Sequence, residues 1–376
     1  MTRTAAPVDP RRLVAAHALA AVAVALPWPA LLAAIWRIAA DPALVGLAGA
    51  SRFAPCVLLS AFLGGLGDRI GRLRAVRLSI AARVLLVASV AALLLGDLPW
   101  PALVAATLSV AVGVPAFPSL AALIPQLSAR PDHHTNALVT WEISAFVVGP
   151  ALGGMLLAAA PAWSVAVSVP LIVAALVVLP RRVPERAPSV HRPRLWDGWR
   201  AVLAVRVVRR AIVAVMTLNV VIGVLGVALL TIAETRWEAG VAAFGWLTAA
   251  QGFASLTAPV LARMVGRLSP GIAAHLVVVL PLVVVTVSPG WLAAAVPMAL
   301  LGSGLTMVEC RTTRMMQLGA PADYTAVALG LADSAVVAAA LAGALVAPWL
   351  LAVLGPVGLL AGLAVACSAV LAWGLS

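Results

Sequence analysis

Long runs of apolar residues, separated by short polar or basic connections, follow one another along the whole chain. The runs lack the alternation of β-strands, and backbone groups in lipid must all bond internally, which favours helices. A bilayer core about 30 Å thick is crossed by roughly 20 apolar helical residues. The pattern therefore predicts an all-α integral membrane protein with about twelve transmembrane helices.

The predicted spans form two sets of six on either side of a basic, proline-bearing connection. The first set covers residues 13–39, 43–67, 75–95, 99–123, 136–160 and 162–180. The second covers residues 211–231, 241–265, 271–287, 290–316, 325–351 and 354–372. We therefore predict an N-terminal six-helix bundle over residues 1–180, a cytoplasmic linker over 181–210 and a C-terminal six-helix bundle over 211–376.

One part of the linker has the pattern of a membrane-surface helix. The stretch from Leu195 to Arg200 contains two tryptophans, and apolar and Arg residues follow it at helical spacing. This pattern predicts an amphipathic helix on the inner leaflet, with a plain solvated linker as the alternative.

Composition supports the membrane interpretation and gives the protein an orientation. Hydrophobic residues make up 64% of the chain, charged residues 10%, and the mean hydropathy is +1.11. The net charge of +12 comes from Arg alone, and the 25 Arg residues gather at span ends, which indicates topological charge and no nucleic-acid partner. All but Arg37, Arg236, Arg52 and Arg83 lie near predicted cytoplasmic ends. We therefore predict a multi-pass protein of the cell (inner or plasma) membrane with both termini in the cytoplasm.

The two halves share an internal repeat. The segment 126–132 matches the segment 317–323 at an offset of 191 residues (317 minus 126), with Gln, Leu, Ala and Asp in common. The same offset pairs Gly113 with Gly304 and Glu142 with Asp333. The repeat predicts two pseudo-symmetric bundles, an arrangement in which transporters bind substrate near the bilayer midplane between the halves.

The connection between predicted spans two and three contains the most specific motif, Gly64-Gly65-Leu66-Gly67-Asp68-Arg69-Ile70-Gly71-Arg72-Leu73-Arg74. Its glycines allow a tight turn, Asp68 can face a helix N-terminus, and its Arg residues can pair with acids or lipid phosphates. The segment resembles the G-x-L-x-D-R-x-G-R signature of the major facilitator superfamily. The resemblance implies a conformational signature loop formed by Gly64, Leu66, Asp68, Arg69, Gly71, Arg72 and Arg74. A merely basic cytoplasmic loop is the alternative.

A second motif lies in predicted span five, where the chain reads Gly149-Pro150-Ala151-Leu152-Gly153-Gly154. It resembles the G-P-x-x-G-G element of exporters in the same superfamily, although Ala145 replaces an earlier glycine of the longer pattern. Glycines permit close helix contact and Pro150 kinks the span, so we predict a packing and gating role for Gly149, Pro150, Gly153 and Gly154. Plain helix packing is the alternative. Residues 195–210 also resemble the exporter branch that includes macrolide, siderophore and drug efflux proteins.

Ionisable groups at membrane depth are the candidate coupling or substrate residues, because each costs about 2.5 to 3.5 kcal/mol to insert. Arg52 lies near midplane in span two, Glu142 and Asp333 occupy matching positions in spans five and eleven, and Glu309 lies in span ten. Alternative roles are a buried structural pair for Arg52 and neutralisation of the signature arginines for the two matching carboxylates. His17 and Asn219 are weaker candidates, with polar bonding between helices as the usual explanation.

The sequence offers no other chemistry. Cys56, Cys310 and Cys367 lack metal-ligand spacing, and a chain without Lys cannot contain a nucleotide-binding P-loop. We therefore expect neither cofactor nor metal and no enzymatic activity. The expected function is a secondary active transporter that exports small amphipathic or apolar compounds by alternating access. Protons are the candidate coupling ion, and the expected assembly is a monomer in the bilayer. Alternatives are a gradient-driven uptake carrier of the same fold, a nontransporting membrane sensor or a membrane enzyme.

Overall fold

The computed structural model describes residues 9–39, 48–49, 51–159, 163–184 and 195–374. No β-strand occurs within these ranges, and the predicted all-α fold is confirmed. The α-helices of the first half are α1 (Pro10–Ala25), α2 (Trp28–Ala39), α3 (Ala54–Leu63), α4 (Leu66–Ile70), α5 (Arg72–Leu95), α6 (Pro99–Gly113), α7 (Ala116–Leu127), α8 (Pro131–Ala159), α9 (Trp163–Ala166) and α10 (Ser168–Val178). They are followed by α11 (Leu195–Ala204), α12 (Arg206–Thr235), α13 (Gly240–Ala254), α14 (Ala258–Met264), α15 (Pro270–Ala274), α16 (Leu280–Val287), α17 (Trp291–Gly319) and α18 (Thr325–Gly374).

Among the residues that the structure describes, seven helical segments are long and apolar enough to cross a membrane, or eight when a bent pair within α8 is counted as one span. The seven are Pro10–Ala39, Arg72–Leu95, Pro99–Leu127, Arg206–Ala233, Pro270–Val287, Trp291–Gly319 and Ala322–Gly374. Each contains a window with a mean hydropathy of 1.7 or more, which agrees with helices that are apolar on all sides. The count of twelve spans stays a prediction.

Interrupted helices explain much of the difference between the twelve predicted spans and the seven or eight spanning segments of the described residues. Predicted span two begins in residues 40–47, and spans five and six meet at residues 160–162; both segments lie outside the described residues. Predicted span eight is divided by a 3₁₀ turn over Ser255–Thr257. Pro259 explains this turn, because it lacks the N–H that would bond to the carbonyl of Ser255 in a regular helix.

The segment α18 contains two helices. It runs for 50 residues, about 75 Å at a rise of 1.5 Å per residue, which is more than twice the thickness of a bilayer core. Gly355 interrupts it with φ 65° and ψ 168°, a conformation that glycine adopts without the clash of a side chain. The break falls beside the predicted connection between spans eleven and twelve.

The described residues form two compact units, and the first comprises Met1–Val202 together with Ala320–Ser334. Within this unit, α1 packs against α8 and α10, and α5 packs against α6. Small side chains make the close approach of α1 possible, since Ala16, Ala20 and Ala23 are almost completely buried. The predicted domain boundaries at residues 180 and 211 stay a prediction.

The second unit comprises Leu203–Gly319 and Ala335–Ser376. Its central helix is α17, which packs against α12, α13 and α16. The core contains Leu218, Leu225, Leu229, Leu247, Val278, Leu282, Met298 and Leu301. At one end of this core, Arg236 donates to the carbonyl of Thr286 at 2.5 Å, and the Trp237 indole donates to the carbonyl of Ser288 at 3.1 Å. These bonds join the end of α12 to the end of α16.

The glycines paired by the internal repeat occupy corresponding places in the two units. A Cβ at Gly113 on α6 would overlap the guanidinium of Arg83 on α5. A Cβ at Gly304 on α17 would overlap the carbonyl of Val277, which follows α15. Each glycine therefore allows close contact with the preceding membrane segment of its own unit.

The described part of the linker contains the predicted helix, α11, whereas residues 185–194 lie outside the described ranges. The Trp199 indole N–H donates to the carbonyl of Ala61 at 3.1 Å, and its ring lies 5.4 Å from the ring of Phe62. Trp196 is 65% exposed and packs edge-on against Trp199. One side of α11 is therefore attached to the end of α3, and Trp196 lies on the exposed surface.

Candidate functional site

A cavity of about 70 Å³ lies within the first unit and is lined by both charged and apolar side chains. Its polar lining consists of His17, Arg52, Cys56, Arg83, Glu142 and Asp333. Its apolar lining consists of Ala21, Val24, Ala25, Trp28, Val110, Gly113, Val114, Phe117, Ala145 and Phe146. Three of the four candidates for coupling or substrate binding thus meet at one cavity, although they are far apart in sequence.

His17 and Glu142 form a hydrogen-bonded pair across the contact between α1 and α8, and the pair is ionic when His17 is protonated. Nε2 of His17 lies 2.5 Å from Oε2 of Glu142, and a proton on this nitrogen makes the imidazole the donor. His17 is only 3% exposed, whereas the Glu142 side chain is 29% exposed and faces the cavity. The pair therefore places a proton-binding group on each side of a short hydrogen bond.

Arg52 lies among aromatic rings at the start of α3. The centre of its guanidinium is 4.9 Å from the ring centroid of Phe146, 5.3 Å from that of Phe53 and 5.7 Å from that of Trp28. Cation–π contacts contribute about 0.5 to 2 kcal/mol each, and inserting Arg at membrane depth costs about 2.5 to 3.5 kcal/mol. The contacts with the rings therefore offset an insertion cost of the same order, and the guanidinium of Arg52 keeps its positive charge.

Arg83 is the second cationic group of the cavity. Its Nε donates to the carbonyl of Ser109 at 3.0 Å, and its guanidinium occupies the space that a side chain at position 113 would fill. Gly113 is therefore required sterically for this placement of Arg83. Arg83 is not among the candidates predicted from sequence, although it lies inside predicted span three and the same signal, a charge at membrane depth, indicates Arg52.

Asp333 reaches the cavity from α18. The hydroxyl of Ser60 donates to its carboxylate, and the neighbouring Ser334 accepts from the backbone N–H of Ala61 at 2.7 Å. The backbones of the two helices approach closely here, because a Cβ at Gly64 would overlap Cα of Gly330 and lie 3.1 Å from the carbonyl oxygen of Ala326, both on α18. Glycine at position 64 thus permits the packing that brings Asp333 to the cavity.

The signature loop lies beside the start of α18. Arg72 donates to Asp68 through Nε at 2.9 Å and Nη2 at 2.8 Å, and Asp68 accepts from the backbone N–H of Ala326 at 3.1 Å. Arg72 also donates to the carbonyls of Ala122 at 2.8 Å and Ala322 at 3.0 Å. The predicted contact between Asp68 and a helix N-terminus is therefore present.

Burial raises the pKa of the Asp68 carboxyl, and this outweighs the lowering by the charge of Arg72 and by the hydrogen bonds from Arg72 and the backbone. Gly71 between α4 and α5 has φ 98°, which agrees with the tight turn predicted for it. The exposed Arg74 and the half-buried Leu66 complete the motif, and Arg69 also takes part in a polar contact.

The glycines of the motif over residues 149–154 differ in their surroundings: two are packed closely and one faces open space. A Cβ at Gly149 would overlap Ala25, and one at Gly153 would overlap the carbonyl of Leu26, whereas Gly154 has no neighbour within 4 Å of such an atom. The helix bends by 45° between Phe146 and Val148. Pro150 explains the bend, since it cannot donate to the carbonyl of residue 146.

The remaining sequence candidates lie elsewhere. Glu309 is on α17 in the second unit and does not line this cavity. Asn219 donates to the carbonyl of Val215 in its own helix at 3.0 Å. Glu142 bonds to His17 and Asp333 to Ser60, so the structure provides other partners than the signature arginines for these two carboxylates. Within the described ranges, no three His, Cys, Asp or Glu side chains form a metal site.

The sequence of residues 13–343 matches the profile of the Major Facilitator Superfamily, which covers most of the chain. The chain belongs to this superfamily. Membership makes it a membrane transporter rather than an enzyme. No curated protein matches the sequence.

Solved structures show the same major facilitator fold at low sequence identity. The human organic anion transporter TETRAN superposes with a TM-score of 0.77 at 16% identity, covering 97% of this chain and 100% of its own. A bacterial homologue of the iron transporter ferroportin, in an outward-facing state with soaked iron, gives 0.76 at 14%, covering 98% and 100%. The E. coli fucose:proton symporter gives 0.75 at 13%, covering 97% of each chain. These likenesses concern the fold alone.

Proposed function

We propose that this major facilitator protein is a secondary active exporter of small amphipathic molecules, coupled to protons. The observation that supports the proposal is the cavity among the apolar helices of the first unit, where two carboxylates and a histidine lie beside two arginines and an apolar wall. Such groups are costly in a membrane unless they serve binding or ion movement. The cavity combines both kinds of group in one place.

In this proposal, Glu142 and Asp333 are the proton-binding groups of the transport cycle. Glu142 shares a short hydrogen bond with His17, and Asp333 accepts from Ser60, so each carboxylate has a polar partner when it is ionised. Arg52 contributes to substrate binding. Glu309 remains a third candidate for coupling, and its position in the second unit makes it separable by experiment.

The signature loop is proposed to stabilise one conformation of the cycle. Asp68 and Arg72 bond to the backbone at the start of α18, and such contacts must be broken if that helix end moves. Gly64, Leu66, Arg69, Gly71 and Arg74 complete the loop. Gly149, Pro150, Gly153 and Gly154 are proposed to fix the packing and the bend of α8.

The proposed architecture has two six-helix bundles over residues 1–180 and 211–376, with residues 181–210 as a cytoplasmic linker. The protein acts as a monomer in the cell membrane, with both termini in the cytoplasm. Two contacts support the assignment of Arg37 and Arg236 to the outer side. Arg37 pairs with the exposed Asp97 at 3.4 Å, and Arg236 bonds at the end of α12 that is opposite the basic residues.

The coupling test uses purified protein in proteoliposomes with an imposed pH gradient and a pH-sensitive dye inside. Glu142→Gln, Asp333→Asn and Glu309→Gln are compared with Asp97→Asn, which removes an exposed carboxylate of the same unit. We expect substrate-dependent proton flux to fall at least about tenfold in Glu142→Gln or Asp333→Asn, as losing one essential proton site requires. Flux equal to that of the wild type in all three variants, with folded protein, would refute the coupling assignment.

The direction of transport is tested in oriented vesicles. An exporter moves substrate from the cytoplasmic face outward, so inside-out vesicles accumulate it when their interior is acidified. Accumulation by right-side-out vesicles or intact cells would instead identify an uptake carrier of the same fold. Both outcomes presuppose transport, so a nontransporting protein would show neither.

A further inference from the structure

Within the described part of the chain, no carboxylate lies within ion-pair distance of the two guanidinium groups of the cavity. Among the described residues, the ion pairs are His17–Glu142, Arg37–Asp97 and Arg72–Asp68, and neither Arg52 nor Arg83 takes part in them. Arg52 contacts aromatic rings, and Arg83 donates one N–H to a backbone carbonyl. Arg83 also interacts with the charge of Glu142 across the cavity, but without a direct contact. A guanidinium has five N–H donors, so most of the donors of these two side chains form no hydrogen bond to a carboxylate.

The carboxylates of the same cavity already have polar partners. Glu142 bonds to His17 and Asp333 accepts from Ser60. A cationic ligand would have to compete with His17 or approach two fixed positive charges. An anionic ligand would instead meet donors that match it, because guanidinium and carboxylate groups form paired, charge-assisted hydrogen bonds.

The rest of the lining is apolar and aromatic. Trp28 and Phe146 lie against the guanidinium of Arg52, and Phe117 and Val24 line the same space. These surfaces favour an apolar body attached to the charged group over a hydrated inorganic ion. Arg stays protonated at every physiological pH, so the preference for negative charge is permanent.

Resting on the proposed transport function, we infer that the substrates are small organic anions, each with a carboxylate or sulfonate on an aromatic or aliphatic body. The anionic group binds Arg52 and Arg83, and the body lies against Trp28, Phe117 and Phe146. Gly113 is a positioning residue, since it leaves the space in which the guanidinium of Arg83 lies. The carboxylates Glu142 and Asp333 are not part of this anion site.

The test uses Cys56, a partly exposed thiol in the cavity wall, as a reporter at about pH 9, because only the thiolate reacts and burial disfavours it. Replacing the two buried cysteines, Cys310→Ala and Cys367→Ala, leaves it as the single thiol of the chain. Benzoate, benzamide and benzamidine have nearly the same shape and carry charges of about −1, 0 and +1 at neutral pH. We measure how each slows the modification of Cys56 by methyl methanethiosulfonate in detergent-purified protein.

Benzoate should halve the rate of modification at a concentration at least about tenfold lower than benzamide or benzamidine needs, since a tenfold difference in affinity corresponds to about one charge-assisted hydrogen bond. Arg52→Gln and Arg83→Gln should remove the protection, Arg52→Lys should keep part of it, and the control Arg37→Gln, at a site 69% exposed, should leave it unchanged. Equal protection by all three compounds in the unaltered cavity would overturn the inference, even if an arginine variant failed to fold. Protection that persists in both folded Arg→Gln variants would also overturn it.

Transport is measured separately with benzenesulfonate, which stays ionised and does not leak through lipid as a neutral acid does. Flux of benzenesulfonate that exceeds flux of benzenesulfonamide, together with benzoate protection, supports both the anion site and the transport function. Protection without any flux supports the anion site and contradicts the transport proposal. Flux of benzenesulfonamide alone contradicts the anion site and leaves the transport proposal standing.

Discussion

Replacing Gly153 by Ala tests the contact between α8 and the end of α1. The new Cβ would overlap the carbonyl oxygen of Leu26 and lie 3.0 Å from its carbon and 3.3 Å from Cδ of Pro29. These atoms belong to the backbone and to a proline ring, so no side-chain rotation can relieve the overlap and the helices must separate. Overpacking of this kind costs about 1 to 3 kcal/mol.

The neighbouring Gly154→Ala is the matched control, because its Cβ would meet no atom within 4 Å. Both substitutions gain up to about 1 kcal/mol from helix propensity, so the difference between them isolates the overlap. At about 2 to 4 °C per kcal/mol, Gly153→Ala should unfold about 2 to 12 °C below Gly154→Ala. The measurement is thermal unfolding in detergent, followed by size-exclusion chromatography. Equal unfolding temperatures would refute the close packing of α8 against α1.

Three further substitutions test separate contacts. Gly113→Ala should displace the guanidinium of Arg83 and cost about 0.5 to 1.5 kcal/mol, because the flexible side chain can turn away but loses its hydrogen bond to Ser109. The cost should be much smaller in an Arg83→Ala background, and additive unfolding temperatures in the double-mutant cycle would contradict this steric coupling. Trp199→Phe removes the hydrogen bond to Ala61 and should lower the free energy of unfolding by about 0.5 to 1.5 kcal/mol. An unfolding temperature equal to that of the wild type would contradict this. Because burial raises the pKa of Asp68, its ionised form costs stability, and the wild type should gain stability as the pH falls from about 7 through the raised pKa. Asp68→Asn should remove this gain in stability at low pH. If the variant unfolds with the same pH dependence as the wild type, the gain comes from other groups.

The signature loop could be predicted from sequence because its chemistry is local. Asp68 on α4 and Arg72 at the start of α5 are only four residues apart, and Gly71 supplies the turn between the two helices. The same holds for the bend in α8, since a proline removes a bond within its own helix. The particular atoms that Asp68 meets, at the start of α18, could not be predicted from the motif.

The cavity could be predicted only in part. Charge at membrane depth identified Arg52, Glu142 and Asp333, but their convergence depends on how each helix is rotated about its axis, which many distant packing contacts determine. The pairing of His17 with Glu142 joins residues 125 positions apart. The role of Gly113 in placing Arg83 needed coordinates as well, because a single glycine in an apolar run has many explanations.

The bend in α8 lies between two points at which that helix is held against α1. On one side, Glu142 bonds to His17 in the body of α1; on the other, Gly149 and Gly153 rest on Ala25 and Leu26 at its end. A change in the bend angle would lengthen the hydrogen bond between His17 and Glu142 or separate Gly149 and Gly153 from the backbone that they contact. The hydrogen bond that Pro150 cannot donate therefore gives α8 a fixed bend and not a flexible hinge. A change in the protonation of His17 or Glu142 would weaken one of the two contacts that hold α8 against α1.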